Sequence, residues 1–333
     1  MKRVTIKDIA RLLGIAPSTV SRSLADHPDI SSRTKEKVKK LAEELGYRPN
    51  HIAVNFRKQN SGLIALILPE ISMFFFPQVI KAAEATIKSQ GFSLIVLHSQ
   101  NSLALEKENL ELCTRFSVDG LLLSLSKETT DLAHVNALTD LNLPIVLFDR
   151  ILPSETFSTL TIDDRKVAQQ AVELLIHKGH RKICGMFGFE NLHISKERHR
   201  GFVHAMEKHD LKVNTDWVLH YQNTAGIINE LTLIMAAPDR PTAVFAMSDE
   251  LLAGIYHAMA QLGLKIPNDV AVICISEGYI PDFFFPKVTY VRHSGYEVGA
   301  KSSEVLLRIM QASGESSPIH EQITPQLVIQ GSV

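Results

Sequence analysis

The run Pro17-Ser18-Thr19-Val20-Ser21-Arg22 carries side chains that can read a nucleic-acid duplex. An arginine at 22 can fork onto the two acceptors of a guanine edge, and a serine at 18 can bond either kind of base edge. Thr5, Thr19 and Ser21 are hydroxyls placed to bond phosphate oxygens, contacts that position a protein without specifying sequence. Such chemistry needs a rigid short element, so the flanking residues must supply one. The spacing predicts three helices. Thr5 and Asp8 form a T-x-x-D capping signal, after which Ile6, Ile9, Ala10 and Leu13 share a face and Gly14 ends the helix. A second helix starts at Pro17, a favoured first-turn residue, and runs to about Ala25 with Val20 and Leu24 inward. A third starts near Ser31 or Ser32, buries Val38, Leu41, Ala42 and Leu45, and stops at Gly46. Helix, glycine-bearing turn, helix is the helix-turn-helix pattern, in which the outer helices hold the middle one so that its first residues reach base edges. A small protein-binding bundle has the same pattern.

Charge separates this head from the rest. Residues 1–60 hold 13 Lys and Arg against 6 Asp and Glu, a balance of +7; the other 273 residues hold 22 against 30, a balance of −8. A basic head on an acidic body suits a nucleic-acid module joined to something that binds elsewhere. The 333 residues are 45% hydrophobic and 21% charged, which suits two or three globular domains and excludes collagen-like, disordered and disulfide-scaffold classes. No apolar run approaches the ~20 residues of a membrane span. The segment MKRVTIKDIA turns polar too early for a signal peptide, so a cytoplasmic location is expected. Cys113, Cys184 and Cys274 are far apart and suit a reducing compartment, with no CxxC pair.

Residues 4–50 carry VTIKDIA, the TVSR tetrapeptide (Thr19 to Arg22), an S-x-x-T-x-x-x-V stretch (Ser31 to Val38) and GYRPN (Gly46 to Asn50). This run resembles, without gaps, the N-terminal DNA-binding domain of the lactose-repressor (LacI/GalR) family. The resemblance implies that Thr5, Pro17, Ser18, Thr19, Ser21, Arg22, Ser31 and Thr34 meet DNA. Two departures stand out. Ala16 stands where the family has a serine cap, and Pro17, at a base-reading position, donates nothing, which leaves readout to Ser18, Arg22 and apolar contact. Residues 49–60 follow as a linker. Asn50 can cap a short helix bearing Ile52, Ala53 and Phe56, too short to be stable alone in water. In the family this is a hinge helix that orders on the operator, where two copies push apolar wedges into the minor groove. The matching wedge is Phe56, a side chain able to unstack a base step; Asn50, Ala53 and Arg57 would accompany it on DNA. The alternative is that Phe56 packs on the body.

Beyond Leu63 the pattern changes. Apolar runs at 63–70, 92–99, 120–124, 144–149, 182–188, 218–222, 243–248 and 270–276 alternate with amphipathic stretches. Such runs mean parallel sheets covered on both faces, which bind ligands at the carboxyl ends of their strands. About 270 residues is long for one doubly wound sheet; two lobes facing a cleft fit better. The resemblance agrees: the family's regulatory domain is similar to a two-lobed periplasmic sugar-binding protein, with three crossovers and the effector between the lobes. Matching motifs are VDG at 118–120, PIVLFDR at 144–150, ERHRGF at 197–202, PTAVFAMSD at 241–249 and IPNDVAV at 266–272. The domains are expected at 1–48, 49–60 and 61–333, with lobe 1 at about 61–161 plus 290–325 and lobe 2 at about 162–289.

Candidate effector contacts are Phe75, Phe76, Asp149, Arg150, Arg198, Tyr221, Ser248, Ser276 and His293. Asp149 and Arg150 end a strand, where either ligand groups or a structural ion pair would stand. Arg198 aligns with the family's effector-binding arginine, a bidentate donor suited to diols or an acid; Tyr221 aligns with a stacking aromatic, and Asp249 is expected to cap the following helix. Departures bear on the effector's class. The family's I-S-N-P-F-F loop reads Ile71 to Phe76 without its Asn and Pro; Ser276 replaces a carboxylate, Ser248 an asparagine and His293 a glutamine. Fewer acidic acceptors and more aromatics suit a less typical sugar, a nucleoside-like effector, or none. A second aromatic run, Asp282 to Pro286, would either pack between lobes or line the cleft mouth or an interface.

No G-x-x-x-x-G-K, G-x-S-x-G, G-x-G-x-x-G or H-E-x-x-H occurs, and the histidines make no ligand cluster, so no enzyme, cofactor or metal is expected. The expectation is a DNA-binding regulator, a homodimer reading a pseudo-palindromic operator under control of a small-molecule effector. The competing class is a solute-binding protein of the same lobed fold, which would leave the basic head without a role.

Overall fold

The computed structural model describes residues 4–47, 61–71, 74–221, 223–312 and 317–333. The chain divides into two compact units, Met1–Ser61 and Gly62–Val333. In the first, α1 (Ile6–Leu13), α2 (Pro17–Leu24) and α3 (Ser32–Glu44) follow one another. Thr5 and Asp8 close a capping box: the Asp8 amide donates to Thr5 Oγ1 at 3.4 Å, and the Thr5 amide to Asp8 Oδ2 at 3.0 Å. Gly14 ends α1 at φ 64, in the left-handed region that favours glycine. Ala16 offers α2 no side-chain cap, and Pro17 fills the first turn instead. Among the described residues, the buried apolar side chains between the helices are Ile9, Ala10, Val20, Val38 and Ala42. So small a core leans on its caps, each worth ~1 kcal/mol.

The second unit is two α/β lobes. The first holds β1 (Leu63–Leu68), α4 (Phe75–Ser89), β2 (Ser93–His98), α5 (Leu103–Arg115), β3 (Gly120–Leu123), α6 (Ala133–Asn136), β4 (Ile145–Phe148) and β5 (Ser158–Ile162). The second holds α7 (Asp164–His177), β6 (Ile183–Phe187), α8 (His193–Lys208), β7 (Val218–His220), α9 (Thr224–Ala236), β8 (Ala243–Ala246), α10 (Leu252–Gln261), β9 (Ala271–Ser276) and β10 (Thr289–Arg292). α11 (Gly295–Gln311) and β11 (His320–Ile323) return to the first lobe, and β12 (Gln326–Val328) ends in the second. The first sheet runs β11-β5-β4-β3-β1-β2, parallel throughout. The second runs β12-β10-β9-β8-β6-β7, parallel except where β12 lies antiparallel on β10.

Each sheet is sandwiched by apolar helix faces. α4 and α11 cover one face of the first, where a Cβ at Gly299 would stand 2.3 Å from the Val79 carbonyl oxygen. The glycine lets the backbones of α4 and α11 come into contact. Strand order reverses between β1 and β3 in one sheet and between β6 and β8 in the other. The residues just past those strand ends therefore face a crevice.

The lobes divide differently from the expectation. β10 pairs with β9 in the second sheet, so the return to the first lobe starts after Arg292, and the last residues cross back again. Ser332 is buried there, donating to the Val272 carbonyl at 2.6 Å and accepting from the Thr289 amide at 2.8 Å. The strands β5, β10, β11 and β12 were absent from the apolar-run pattern because they are short and mixed in polarity.

Candidate functional site

In the first unit, Pro17, Ser18 and Arg22 are exposed on α2, while Thr19 and Ser21 are half-buried. The helix is held from behind by Val20 and by buried Ser23, whose hydroxyl donates to the Thr19 carbonyl at 2.7 Å. Three hydroxyls expected to meet DNA are engaged locally. Thr5 Oγ1 donates to Asp8 Oδ2 at 2.7 Å, and the Ser31 and Thr34 hydroxyls bond each other at 2.9 Å where Ser31 caps α3. Two of the basic residues also have a local anion: Lys35 and Lys39 each lie 3.4 Å from Asp26 and hold its carboxyl below the ordinary value. Asn50, Ala53, Phe56 and Arg57 lie outside the described residues.

In the second unit a cavity of about 510 Å³ opens at the carboxyl ends of both sheets. All nine cleft residues read from the sequence line it. Phe75 and Phe76 come from the first turn of α4, and Asp149 and Arg150 follow β4. Arg198 projects from α8 and Tyr221 follows β7; Ser248, Ser276 and His293 stand after β8, at the end of β9 and after β10.

Arg198 is the hub, with only 4% of its surface exposed. Its Nε donates to Asp164 Oδ1 at 2.8 Å, its Nη1 to the Met247 carbonyl at 2.7 Å, and its Nη2 lies 3.4 Å from His293 Nδ1. Three of its five N–H groups are thereby used inside the protein, leaving two for a ligand. His293 is 6% exposed and packs on Phe75 with ring centroids 4.5 Å apart. Burial and the neighbouring Arg198 hold the imidazole well below its ordinary pKa, so it is neutral. With Nδ1 accepting from Arg198, Nε2 carries the hydrogen. That nitrogen has no hydrogen-bond partner among the described residues, and Asp149 Oδ1 lies 3.6 Å away. Burial pushes Asp149 up while Arg150 and Arg198 pull it down, and burial raises Asp164 to about 7 against the pull of Arg198.

Arg150 is held at 2.7 Å from Asn101 Oδ1 and 3.5 Å from Glu70 Oε1, its guanidinium near the Phe76 ring. The lobes also meet directly. Lys127 Nζ of the first sits 4.6 Å over the Phe189 ring of the second, and the Asn191 amide donates to the Lys127 carbonyl. Phe74 meets Tyr279 at 5.3 Å. Asn101, Lys127, Phe189 and Met247 were missed by sequence reasoning. Each lies just beyond a strand end, so the strand-end rule alone could have found them.

Two expectations are corrected. Asp249 does not cap the next turn; Ser248 does, its hydroxyl accepting from the Glu250 amide at 3.3 Å, and Asp249 instead takes the Ser276 hydroxyl. The second aromatic run does not pack between lobes as a block. Phe284 lies on Tyr256, Phe283 touches Tyr279, and Phe285 is 97% exposed.

Two family models cover these units. Residues 5–50 match "Bacterial regulatory proteins, lacI family", and residues 61–330 match "Periplasmic binding proteins and sugar binding domain of LacI family". The chain belongs to the LacI family. This LacI-family protein is a transcriptional regulator with a helix-turn-helix head and a two-lobed regulatory unit. It is 28% identical to the HTH-type transcriptional repressor PurR of Vibrio vulnificus (strain CMCP6), over 99% of this chain and 98% of that one. It is 29% identical to the HTH-type transcriptional repressor CytR of Escherichia coli (strain K12), over 98% and 96%. Among solved structures, a CelR–cellobiose complex superposes with a TM-score of 0.74 at 25% identity, covering 99% of this chain and 100% of that one. The fold is also that of a Lac repressor dimer bound to operator, with a TM-score of 0.88 at 20% identity and 99% of both chains covered. Among the described residues no helix is long and apolar enough to cross a membrane.

Proposed function

We propose that this LacI-family regulator is a repressor that binds a pseudo-palindromic DNA site as a homodimer and is controlled by an uncharged, carbohydrate-related effector in the interlobe cleft. The observation that carries this reading is the cleft itself. Its polar groups are pre-bonded around Arg198, His293 Nε2–H is left without an acceptor, and the Phe75 and Phe76 rings line the same cavity. A few fixed polar groups with aromatic walls suit a small ring compound bearing hydroxyls. Arg22 and Ser18 are assigned to base edges and Thr19 and Ser21 to phosphates, with Asn50, Ala53, Phe56 and Arg57 on the minor-groove side. A twofold dimer would present two such heads to two half-sites. The effector shifts DNA affinity only by the difference in its own affinity for the two lobe arrangements.

The test is selection of genomic fragments on the full chain at low ionic strength, then anisotropy titration of the winner with and without small-molecule pools. The expected result is a protected site with twofold-related halves and a pool that changes DNA affinity by roughly 5–150-fold. Failure to retain any fragment would remove the DNA assignment. A retained fragment indifferent to every pool would remove the effector assignment.

A further inference from the structure

We infer that Asp249 presents the hydrogen-bond-accepting carboxylate to the cleft ligand, and that Ser276 is its positioning residue rather than a ligand contact. This deepens the proposed effector reading and rests on it. The argument starts from what a serine hydroxyl can do: it has one proton to donate and two lone pairs. Ser276 is buried at the end of β9. Its proton goes to Asp249 Oδ2, and its oxygen accepts the Gly278 amide at 2.9 Å. Nothing is left with which to donate to a ligand. Both bonds instead fix the hydroxyl so that it aims the carboxylate.

Asp249 stands where an acceptor is useful. It lies just past β8, on the cavity lining, beside the point where strand order reverses in the second sheet. The Ser248 cap turns the chain there, so the Asp249 side chain is set by a backbone turn as well as by Ser276. Burial raises its carboxyl above the ordinary value, and the Ser276 hydroxyl and Arg198 counter part of that rise. The other cleft groups complement it. His293 Nε2–H and the spare N–H groups of Arg198 are donors, whereas Asp249 offers an acceptor. A ligand bridging them must both donate and accept, which selects ring compounds with neighbouring hydroxyls, or with a hydroxyl and a ring N–H.

The test uses the full chain and a thermal-shift plate of monosaccharides, disaccharides, amino sugars, uronic acids and nucleosides, followed by calorimetric titration of whatever shifts the wild type. Asp249→Asn keeps the shape but removes an acceptor and the charge. It is expected to weaken binding of the shifting compound by roughly 10–100-fold with the unliganded midpoint unchanged. Ser276→Ala is expected to weaken it less, and Ser276→Thr, which keeps the hydroxyl, to restore it. Wild-type affinity in Asp249→Asn overturns the assignment of Asp249. A Ser276→Ala loss larger than that of Asp249→Asn makes Ser276 the contact and overturns it too. Should Asp249→Asn not fold, equal affinities in Ser276→Ala and Ser276→Thr overturn the positioning role. No shift by any compound in the wild type is a different failure, that of the cleft reading as a whole.

Discussion

Arg22 and Arg198 are the same side chain in opposite settings. Arg22 stands exposed on a helix whose core lies behind it, at Val20. Arg198 is enclosed, and its bonds to Asp164, to the Met247 carbonyl and to His293 tie α8, α7, the end of β8 and the end of β10 together. On α2, the side chains that face outward are separate from those that hold the fold. In the cleft they are one set of bonds. The largest expected effect breaks that set: Arg198→Ala leaves Asp164 buried without its partner and should cost ~3–5 kcal/mol of the second unit's stability in urea unfolding. Adding Asp164→Asn should return part of it. A loss below about 1 kcal/mol would mean that the cleft bonds are no more structural than those of the head.

The matching change in the head should leave stability alone. Arg22→Ala is expected to weaken the selected DNA site by ~1–3 kcal/mol and to relax preference at one base pair, with the head's melting unchanged. Equal weakening on random DNA would reduce Arg22 to a phosphate contact. Thr5 sharpens the contrast from within the head, because its hydroxyl is both a candidate phosphate contact and half of a capping box. Thr5→Ala should lower the head's stability by ~1 kcal/mol. Weaker DNA binding with stability intact would assign the hydroxyl to phosphate instead.

The two regions also differ in how far they could be read from sequence. The head's helices are set by neighbours three or four residues apart, so T-x-x-D, Pro17 and Gly14 announce their boundaries. The cleft is assembled from partners 34, 49 and 95 residues apart along the chain. A resemblance could name its lining residue by residue, since motifs mark strand ends. It could not show that Arg198 has most of its donors committed, or that the Ser276 hydroxyl donates to Asp249, because those depend on which strand lies beside which. The same limit hid β12: a three-residue strand of Gln, Leu and Val has no periodicity to find, and it is placed by pairing with β10. Tyr279 and Phe74 likewise meet only because the two lobes face each other.

The smallest expected effect separates the regions by sign. In the head, Asp26 is exposed and held below its ordinary 3.8 by Lys35 and Lys39. A depressed carboxyl contributes stability that is present above 3.8 and lost as pH falls through the lower folded value, so it leaves the neutral range flat. In the second unit, burial raises Asp164 from 3.8 to about 7, and burial raises Glu277 from 4.5 to about 7 although its carboxylate accepts the Gly295 amide. The folded state then holds protons that the unfolded chain has released, and the stability this contributes is lost as pH rises through about 7. His293 acts the other way, but its depressed value matters only below its ordinary 6.5, where the unfolded chain gains the proton. Between about pH 6.5 and 8 the second unit's stability in urea unfolding should therefore fall, by less than about 1 kcal/mol per carboxylate, while the head's stays level. Asp164→Asn should remove its share of that slope. A second unit whose stability stayed level across this window would show that Arg198 keeps Asp164 ionised, making the cleft an ordinary ion pair.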